Sequence, residues 1–297
     1  MDNFDDLFTA QNDGEQNNEE RPFDKEAWAE RKRQEREDAY ALIDEGTQDI
    51  ASNCEFFRDY LDVQSHFDRY SISNAILILH QMPEATRLAD FNTWKNSGAY
   101  IKRGEDAIIM LEPGKEYIRD DGSKGFSVNV KKVFDISQTS EGGRNLADYR
   151  EPDARSFIKL LLASSPCKIE ASDGLSENVC ARYSPEDKKI YVRPGLGGDD
   201  LFRSLAQEIA VAGFAGRNVD RNDCAFTAYC ASYMLCRKNG FSVEGFSFER
   251  APEQFKGMEL KDVRDKLSEI RDTANSISQE MYRQQEKGTR AKDDGAR

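Results

Sequence analysis

The spacing of apolar residues predicts helices first and strands afterwards. Upstream of Pro83 the apolar residues recur at intervals of three and four, as in Ile72, Ile76 and Leu79, which is the period of an amphipathic helix. The stretch DAIIMLEP is then typical of a buried strand that ends at Pro113. The segment KEYIRDDGSKGFSVNVKKVFDI predicts two further strands, joined by the turn signal DDGSKG.

A second series of helix and strand signals follows. A helix is predicted over EPDARSFIKLLLASS, and three short strands over CKIEAS and ENVCARYSPEDKKIYVRPGL, the last two joined across SPEDK. Two more helices cover residues 198–215 and 222–238, the second closed by the dipeptide NG. Over residues 260–281 the apolar spacing alternates between three and four, which predicts a long helix with a narrow apolar seam. Three heptads with an alanine in the seam make a weak zipper, so we expect this helix to pack on the chain's own core.

These signals predict an α+β fold: two small α+β units followed by a long C-terminal helix. The first unit spans residues 38–149, the second 150–250, and the helix 251–285. Residues 1–37 are rich in Asn, Gln, Asp and Glu, which predicts a disordered acidic tail, although DKEAWAERKRQEREDAYALIDEG could begin a helix late in it. Residues 286–297 are predicted to be a second disordered tail.

The composition favours a cytoplasmic protein without membrane segments. Of the 297 residues 33% are charged, and the longest apolar runs, AILIL and AIIML, are far too short to span a bilayer. The N-terminus MDNFDDLFTA is acidic, so we expect no secretory signal. The net charge of −13 argues against a general attraction to nucleic acid, but charges nearly balance within residues 56–135, which leaves room for a locally basic groove. No CxxC pair occurs, and Cys224, Cys230 and Cys236 point in three directions from one helix, so we expect buried reduced thiols.

The stretch DDLFRSLAQEIAVAGFAG has the apolar spacing and the Glu of a metalloprotease zinc helix. In such a helix two histidines one turn apart bind zinc, and the Glu beside the first holds the attacking water. Glu208 stands at the position of that base, but Gln207 and Val211 stand where the two histidines would be. The chain has only two histidines, His66 and His80, and both lie in the first unit. By itself the stretch is an ordinary amphipathic helix.

The segment YSISNAILILHQMPEATRLADFNTWKNSGAYIKRGEDAIIMLEP, followed by VKKVFDISQTS, resembles the N-terminal domain of ArdC-type antirestriction proteins of conjugative plasmids, phages and integrative elements. An Asn-bearing helix, a Pro-x-Ala-Thr turn, a Trp helix, a Lys-Arg-Gly-Glu turn and a Val-Phe-Asp-Ile-Ser-Gln-Thr strand end occur in the family's order. The strand pair ARYSPEDKKIYVRPGL, the helix of Glu208 and the helix DCAFTAYCASYMLCRKNGF look like the family's zincin-type domain. The resemblance covers residues 70–282.

This resemblance implies a first domain that binds single-stranded DNA and a degenerate zincin-like second domain. The family's general base corresponds to Glu208, its two histidine ligands to Gln207 and Val211, and its third ligand falls near Asp223 or Ala225. Because both histidines are absent, we expect no metal, no cofactor and no peptidase catalysis, with Glu208 left as a vestigial base. The alternative is a hard cation bound by Glu208, Asp220 and Asp223.

Binding of single-stranded DNA requires aromatic rings on which bases stack and cations along the phosphates. The stretch FNTWKNSGAYIKR interleaves both, and VKKVF adds two lysines and a phenylalanine. Residue type alone is a weak signal, because Trp94 on a short helix is commonly a core residue and exposed lysines are commonly only solvated. With the resemblance, we predict a DNA-binding surface formed by Trp94, Lys95, Tyr100, Lys102, Arg103, Lys131, Lys132 and Phe134.

The predicted function is that of a non-catalytic accessory protein of a phage or mobile element, which binds single-stranded DNA and protects incoming DNA from host restriction. Overall acidity and the long charged C-terminal helix leave a different class open, namely an acidic protein-binding module or DNA mimic that acts on a host defence protein. Residual metallohydrolase activity is a third alternative. Neither the DNA-binding function nor the protein-binding alternative involves a membrane.

Overall fold

The computed structural model describes residues 24–119, 121–141 and 153–295, with side chains as far as residue 287. It has the α+β fold that the sequence predicts, with helices packed on two three-stranded sheets. Residues 1–23 of the predicted N-terminal tail lie outside the described residues. Within the described ranges, no helix is both long and apolar enough to cross a membrane.

Three helices open the described chain, and each begins at a polar side chain that caps it. Asp24, Asn53 and Ser71 accept backbone N–H groups of the first turns. The helices are α1 (Lys25–Ser52), α2 (Cys54–His66) and α3 (Ile72–Gln81). Residues 25–37, for which the sequence predicts disorder, are therefore helical. Ion pairs one turn apart, such as that of Arg33 with Glu30, support a helix there without a buried face.

The first sheet is antiparallel, and its strands follow the order β1-β3-β2. Its elements are β1 (Leu88–Ala89), helix α4 (Phe91–Asn96), β2 (Ile108–Ile118), β3 (Lys124–Asp135) and a 3₁₀ helix (Ile136–Gln138). Contrary to the sequence prediction, the strand does not end at Pro113. It continues through an irregularity in register between Pro113 and Glu116. An edge strand tolerates proline because one side of it needs no ladder hydrogen bond.

Two side-chain amides of α3 cover the free edge of β2. Asn74 donates to the carbonyl of Leu111 and accepts its N–H group, both at 2.8 Å. Gln81 makes the same pair of bonds with Ile109, at 2.9 and 2.8 Å. Each amide thus replaces the neighbouring strand that this edge lacks, and together they fix α3 on the sheet.

The second unit has the predicted order of elements. These are α5 (Ala154–Ala163), β4 (Lys168–Ala171), β5 (Ala181–Ser184), β6 (Lys189–Val192), α6 (Gly198–Ala215) and α7 (Arg221–Asn239). β5 and β6 form the antiparallel pair predicted across SPEDK, and β4 lies parallel to β6 on its other side. α7 ends at Gly240 with φ 74°, the left-handed conformation that the NG signal predicts. Cys224, Cys230 and Cys236 are free and buried in α7, as predicted.

The C-terminal helix differs from its prediction at both ends. The range 251–285 contains two helices, α8 (Ala251–Phe255) and α9 (Leu260–Gly295). They are separated by Gly257, whose φ of 80° does not belong to a helix. Because α9 continues to Gly295, residues 286–295 of the predicted disordered tail are helical. The apolar seam of α9 is buried within the chain, as predicted. Its buried residues are Val263, Leu267, Ile270, Ala274, Ile277 and Met281.

The two predicted units share one continuous core. The ring of Phe57 in α2 lies 5.4 to 5.7 Å from three aromatic rings of the second half, which are Phe226, Phe248 and Phe255. Beside these rings the hydroxyl of Tyr233 donates to the carboxylate of Asp62 at 2.7 Å. The predicted boundary between residues 149 and 150 lies outside the described residues. Helices from the first half of the chain, such as α2, pack against helices from the second half, such as α7.

Candidate functional site

The segment between α4 and β2 contains the turn at Tyr100–Asp106, which is pinned to the residues after β3. Lys102 donates its backbone N–H to the carbonyl of Gln138 at 2.9 Å and its Nζ to the carbonyl of Ser137 at 2.8 Å. Ile101 forms an isolated β-bridge with Thr139. These bonds fix the path of the turn before any ligand is present.

Asp135, in the predicted strand-end motif, organises the other side of this attachment. Its buried carboxylate accepts the N–H groups of Thr86 and Arg87 at 2.7 Å and that of Ser137 at 2.8 Å. Burial alone would raise the pKa of Asp135, but these hydrogen bonds outweigh it and lower that pKa. The side chain of Gln138 accepts the Asp135 N–H and donates to the carbonyl of Asp106, 2.8 Å in each case. The motif therefore connects the end of β3 to the end of the turn.

The turn and α4 present aromatic rings and cations to solvent. The side chain of Tyr100 is 64% exposed, and that of Phe91 is 54% exposed. Phe91 and Lys95 are four residues apart on α4 and so lie on one helix face. Arg103 is exposed as well, and in the described part of the chain neither Lys95 nor Arg103 has a recorded ion pair. Rings and cations in this arrangement can stack bases and contact phosphates.

Trp94 is not part of this exposed surface. Its ring is buried, and its Nε1–H donates to the carbonyl of Phe134 at 2.9 Å. The guanidinium of Arg87 lies over the ring, 5.4 Å from its centroid. The structure corrects the sequence prediction for Trp94: this ring ties α4 to β3 and offers no free face to a base. Phe134, only partly exposed, receives that hydrogen bond through its backbone.

Lys131 and Lys132 do not lie together either. As neighbours on β3 they point to opposite faces of the sheet. Lys131 is paired with Glu112 at 3.4 Å and Asp90 at 3.6 Å. Desolvation alone would lower the pKa of Lys131, but these two carboxylates together outweigh it and raise that pKa. Lys132 is paired with Glu35 of α1 at 3.3 Å. Of the predicted surface, Lys95, Tyr100, Lys102 and Arg103 are exposed and lie in one short stretch of the chain, from α4 to the following turn.

The second candidate site is the helix α6, where Glu208 lies at the junction of three elements. The residue is 3% exposed, and its Oε2 accepts the backbone N–H of Tyr183 in β5 at 2.7 Å. Arg221, the first residue of α7, donates Nη1 to the same oxygen at 2.8 Å and Nη2 to Oε1. The hydrogen bond with Glu208 is the main cause that raises the pKa of Arg221. Glu208 is therefore held by a bidentate ion pair, and donors occupy both of its carboxylate oxygens.

The positions around Glu208 do not fit a metal ion. Gln207 is partly buried and Val211 fully buried, and Asp220 and Asp223 are exposed at the start of α7. In the part of the chain that the structure describes, no group of three or more His, Cys, Asp or Glu side chains could hold a metal. The alternative set of Glu208 with Asp220 and Asp223 is thus not assembled.

A cleft of about 560 Å³ lies beside this ion pair. Tyr183, Val211, Arg221 and Arg182 contribute to its walls. The sequence does not single out Arg221, because an arginine at the first position of a helix is indistinguishable in sequence from a solvated one. Its pairing across 13 positions becomes visible only when α6 and α7 are packed together.

The two histidines have roles outside both candidate sites. The Nε2 atom of His66 lies 2.5 Å from the carbonyl oxygen of Thr86. The ring of His80 packs on Phe56, with centroids 5.2 Å apart, and lies against Gly46 of α1, where no side chain would fit.

The structure defines an α+β protein with a long C-terminal helix, in which Glu208 of α6 is paired with Arg221 of α7. No family model matches the chain. Among curated proteins, an uncharacterized protein of Bacillus anthracis is 32% identical over 97 residues, which are 31% of this chain and 16% of that relative. The match thus spans about one sixth of the relative's length.

Among solved structures, the chain is similar to the metal-free crystal structure of the antirestriction ArdC protein from the R388 plasmid. The identity is 19% and the TM-score 0.48, over 72% of this chain and 86% of that one. For the Mn(II)-bound structure of the same protein the identity is 16% and the TM-score 0.49, over 75% and 97% of the two chains. The resemblance predicted from the sequence is to the same type of protein. At these scores, what the chain binds has to be argued from its own residues.

Proposed function

We propose that this protein binds single-stranded DNA through α4 and the turn at Tyr100–Asp106. The observation that carries the proposal is the ring of Tyr100, which is exposed on a turn whose backbone is fixed by its bonds to Gln138 and Ser140. A ring on a pinned turn loses little conformational freedom when a base stacks on it, so more of the stacking energy remains as affinity.

The neighbouring cations supply the contacts that single-stranded nucleic acid requires. Lys95 and Arg103 are exposed, and Phe91 lies one helical turn from Lys95 as a second stacking face. Contacts of this kind follow the phosphate backbone and the faces of bases, so they discriminate little between sequences. Binding of this type weakens as salt rises, because phosphate contacts release bound counterions.

The biological role proposed for this activity follows the sequence resemblance to ArdC-type proteins. The protein would act as an accessory factor of a mobile element or phage that coats incoming single strands and protects them from host restriction. In this proposal the second unit is a non-catalytic scaffold, since Glu208 is bonded to Arg221 and, among the described residues, has no metal ligands beside it. Comparing plasmid transfer into restricting and non-restricting hosts, with and without the protein, tests the role separately from DNA binding.

The binding test is a fluorescence anisotropy titration with a labelled oligothymidine at low salt. Tyr100→Ala removes one stacking face and is expected to weaken binding about 5- to 150-fold, which corresponds to roughly 1–3 kcal/mol for one stacked base. Tyr282→Ala is the matched control, because Tyr282 is 55% exposed on α9, outside the proposed surface.

A second pair of variants tests the cations. Arg103→Glu is expected to weaken binding and to make it less sensitive to salt, with the log–log slope falling by about 0.7 for each phosphate that the protein no longer neutralises. Lys261→Glu makes the same charge change on the exposed face of α9 and is expected to have little effect. Equal effects of the turn variants and their controls, or no binding by the unaltered protein at low salt, would refute the proposal. The acidic protein-binding alternative would then be preferred.

A further inference from the structure

The buried carboxylate of Glu208 accepts three hydrogen bonds from the described residues. It receives one backbone N–H from β5 and two donors from a single guanidinium on α7. Both oxygens are occupied, and the side chain is almost fully removed from water. A water molecule held for attack on a substrate would have to displace one of these donors.

The cation that neutralises this carboxylate belongs to the chain itself. Arg221 stays charged at any ordinary pH, and its planar fork matches the two carboxylate oxygens. A buried carboxylate without a partner is strongly unfavourable, so the pair stabilises the arrangement of α6, α7 and β5 around it. A catalytic metal would supply positive charge to the same region in a zincin-type site.

The positive charge of Arg221 also disfavours the binding of a metal cation in that region. Val211, at the position of the second histidine, lines the same cleft as Arg221. A divalent ion bound beside Val211 would therefore lie close to a fixed positive charge, and like charges repel most strongly where water is scarce.

We propose that Arg221 is a built-in substitute for the metal: it makes the zincin-like unit independent of metal ions and excludes divalent cations from it. The unit then needs no ion to fold, and restoring the two histidines alone is not enough to create a good zinc site. This inference depends on the geometry of α6 and α7 and not on DNA binding, so either can fail without the other.

The experiment combines metal content, metal affinity and thermal stability on the full-length chain. For the unaltered protein, we expect no stoichiometric zinc or manganese after preparation without chelator, and the same melting temperature with chelator or with added ion. Stoichiometric metal, or a melting temperature that falls in chelator, would overturn the inference.

Variants then test the role of the arginine directly by zinc titration calorimetry. The pair Gln207→His with Val211→His is expected to bind zinc weakly. Adding Arg221→Ala should raise the zinc affinity about tenfold or more, because one positive charge close to the divalent ion is removed. Adding Arg250→Ala instead is the matched control, since Arg250 is an exposed arginine that does not line this cleft. Equal gains from the two arginine substitutions, or none from Arg221→Ala, would contradict the proposal.

A double variant without buried charge serves as the control in case Arg221→Ala fails to fold. Glu208→Gln with Arg221→Ala leaves no unpaired ion at this position, and it is expected to be more stable than Arg221→Ala alone. If Arg221→Ala by itself melts at the temperature of the unaltered protein, the ion pair does not hold the unit together and the inference fails.

Discussion

Substitution of Trp94 distinguishes most sharply between the structural and the DNA-binding interpretation of the first sheet. The sequence predicts a stacking residue at this position, whereas the structure shows a buried ring that donates Nε1–H to the carbonyl of Phe134 at 2.9 Å. Trp94→Phe keeps an aromatic ring in the site but removes this donor. The Phe134 carbonyl then has to remain without its partner or draw water into the space left by the smaller ring.

The expected cost follows from that single hydrogen bond. Leaving a buried acceptor unsatisfied destabilises a protein by about 1–3 kcal/mol, whereas Trp94→Ala, which also empties the ring's volume, should cost about 3–5 kcal/mol. For large domains each kcal/mol lowers the melting temperature by roughly 2–4 °C. Trp94→Phe should therefore melt a few degrees below the unaltered protein, while its affinity for oligothymidine at a temperature where it is folded should be unchanged.

The assay is urea unfolding followed by far-ultraviolet circular dichroism, because the substitution removes one of only two tryptophan fluorophores. Trp28→Phe is the control, and it should change the free energy of unfolding by less than about 0.5 kcal/mol because Trp28 is partly exposed. If Trp94→Phe keeps full stability but weakens oligonucleotide binding tenfold, the structural role assigned to this ring is wrong.

Three further predictions concern stability. Asp135→Asn should cost about 1–3 kcal/mol near neutral pH, because its amide cannot accept all the N–H groups that the carboxylate accepts. Since folding lowers the pKa of Asp135, its contribution is complete above about pH 4 and is lost as the pH falls through the folded pKa; unfolding titrations should therefore show a flatter acid limb in the variant. Phe57→Ala should cost about 3–5 kcal/mol in chemical denaturation, while the exposed Phe91→Ala should cost much less, and equal costs would refute the shared core. Asn74→Ala should cost about 1–3 kcal/mol and, by uncovering the edge of β2 at Leu111, increase aggregation measured by light scattering; aggregation equal to that of the unaltered protein would argue against edge protection.

The local pattern of the chain was sufficient to predict most elements of the second unit. α6 begins and ends where its apolar period does, and α7 stops at the NG signal because Gly240 readily takes a left-handed conformation. These are short-range effects of backbone geometry and side-chain spacing. They depend on residues that are close in the sequence and not on what the element packs against.

Several boundaries could not be predicted because distant contacts decide them. Residues 25–37 have no apolar face of their own, yet they continue a helix that is buried further along, and Glu35 there pairs with Lys132 of β3. β2 passes through Pro113 because it is an edge strand, which is a property of the sheet and not of the strand. In both cases the neighbouring residues in the sequence predict the element only weakly, and the residues that stabilise it are far away in the chain.

The candidate sites show the same division. By itself the sequence determined which chemistry was missing, because no arrangement of Gln207 and Val211 reproduces two histidines. It also determined which residue types were available around Tyr100. Only the tertiary structure decided that Trp94 is buried, that Lys131 and Lys132 point apart, and that Arg221 occupies both oxygens of Glu208. The physical reason is that exposure and charge pairing are properties of packed surfaces, and those surfaces are formed by residues far apart in the chain.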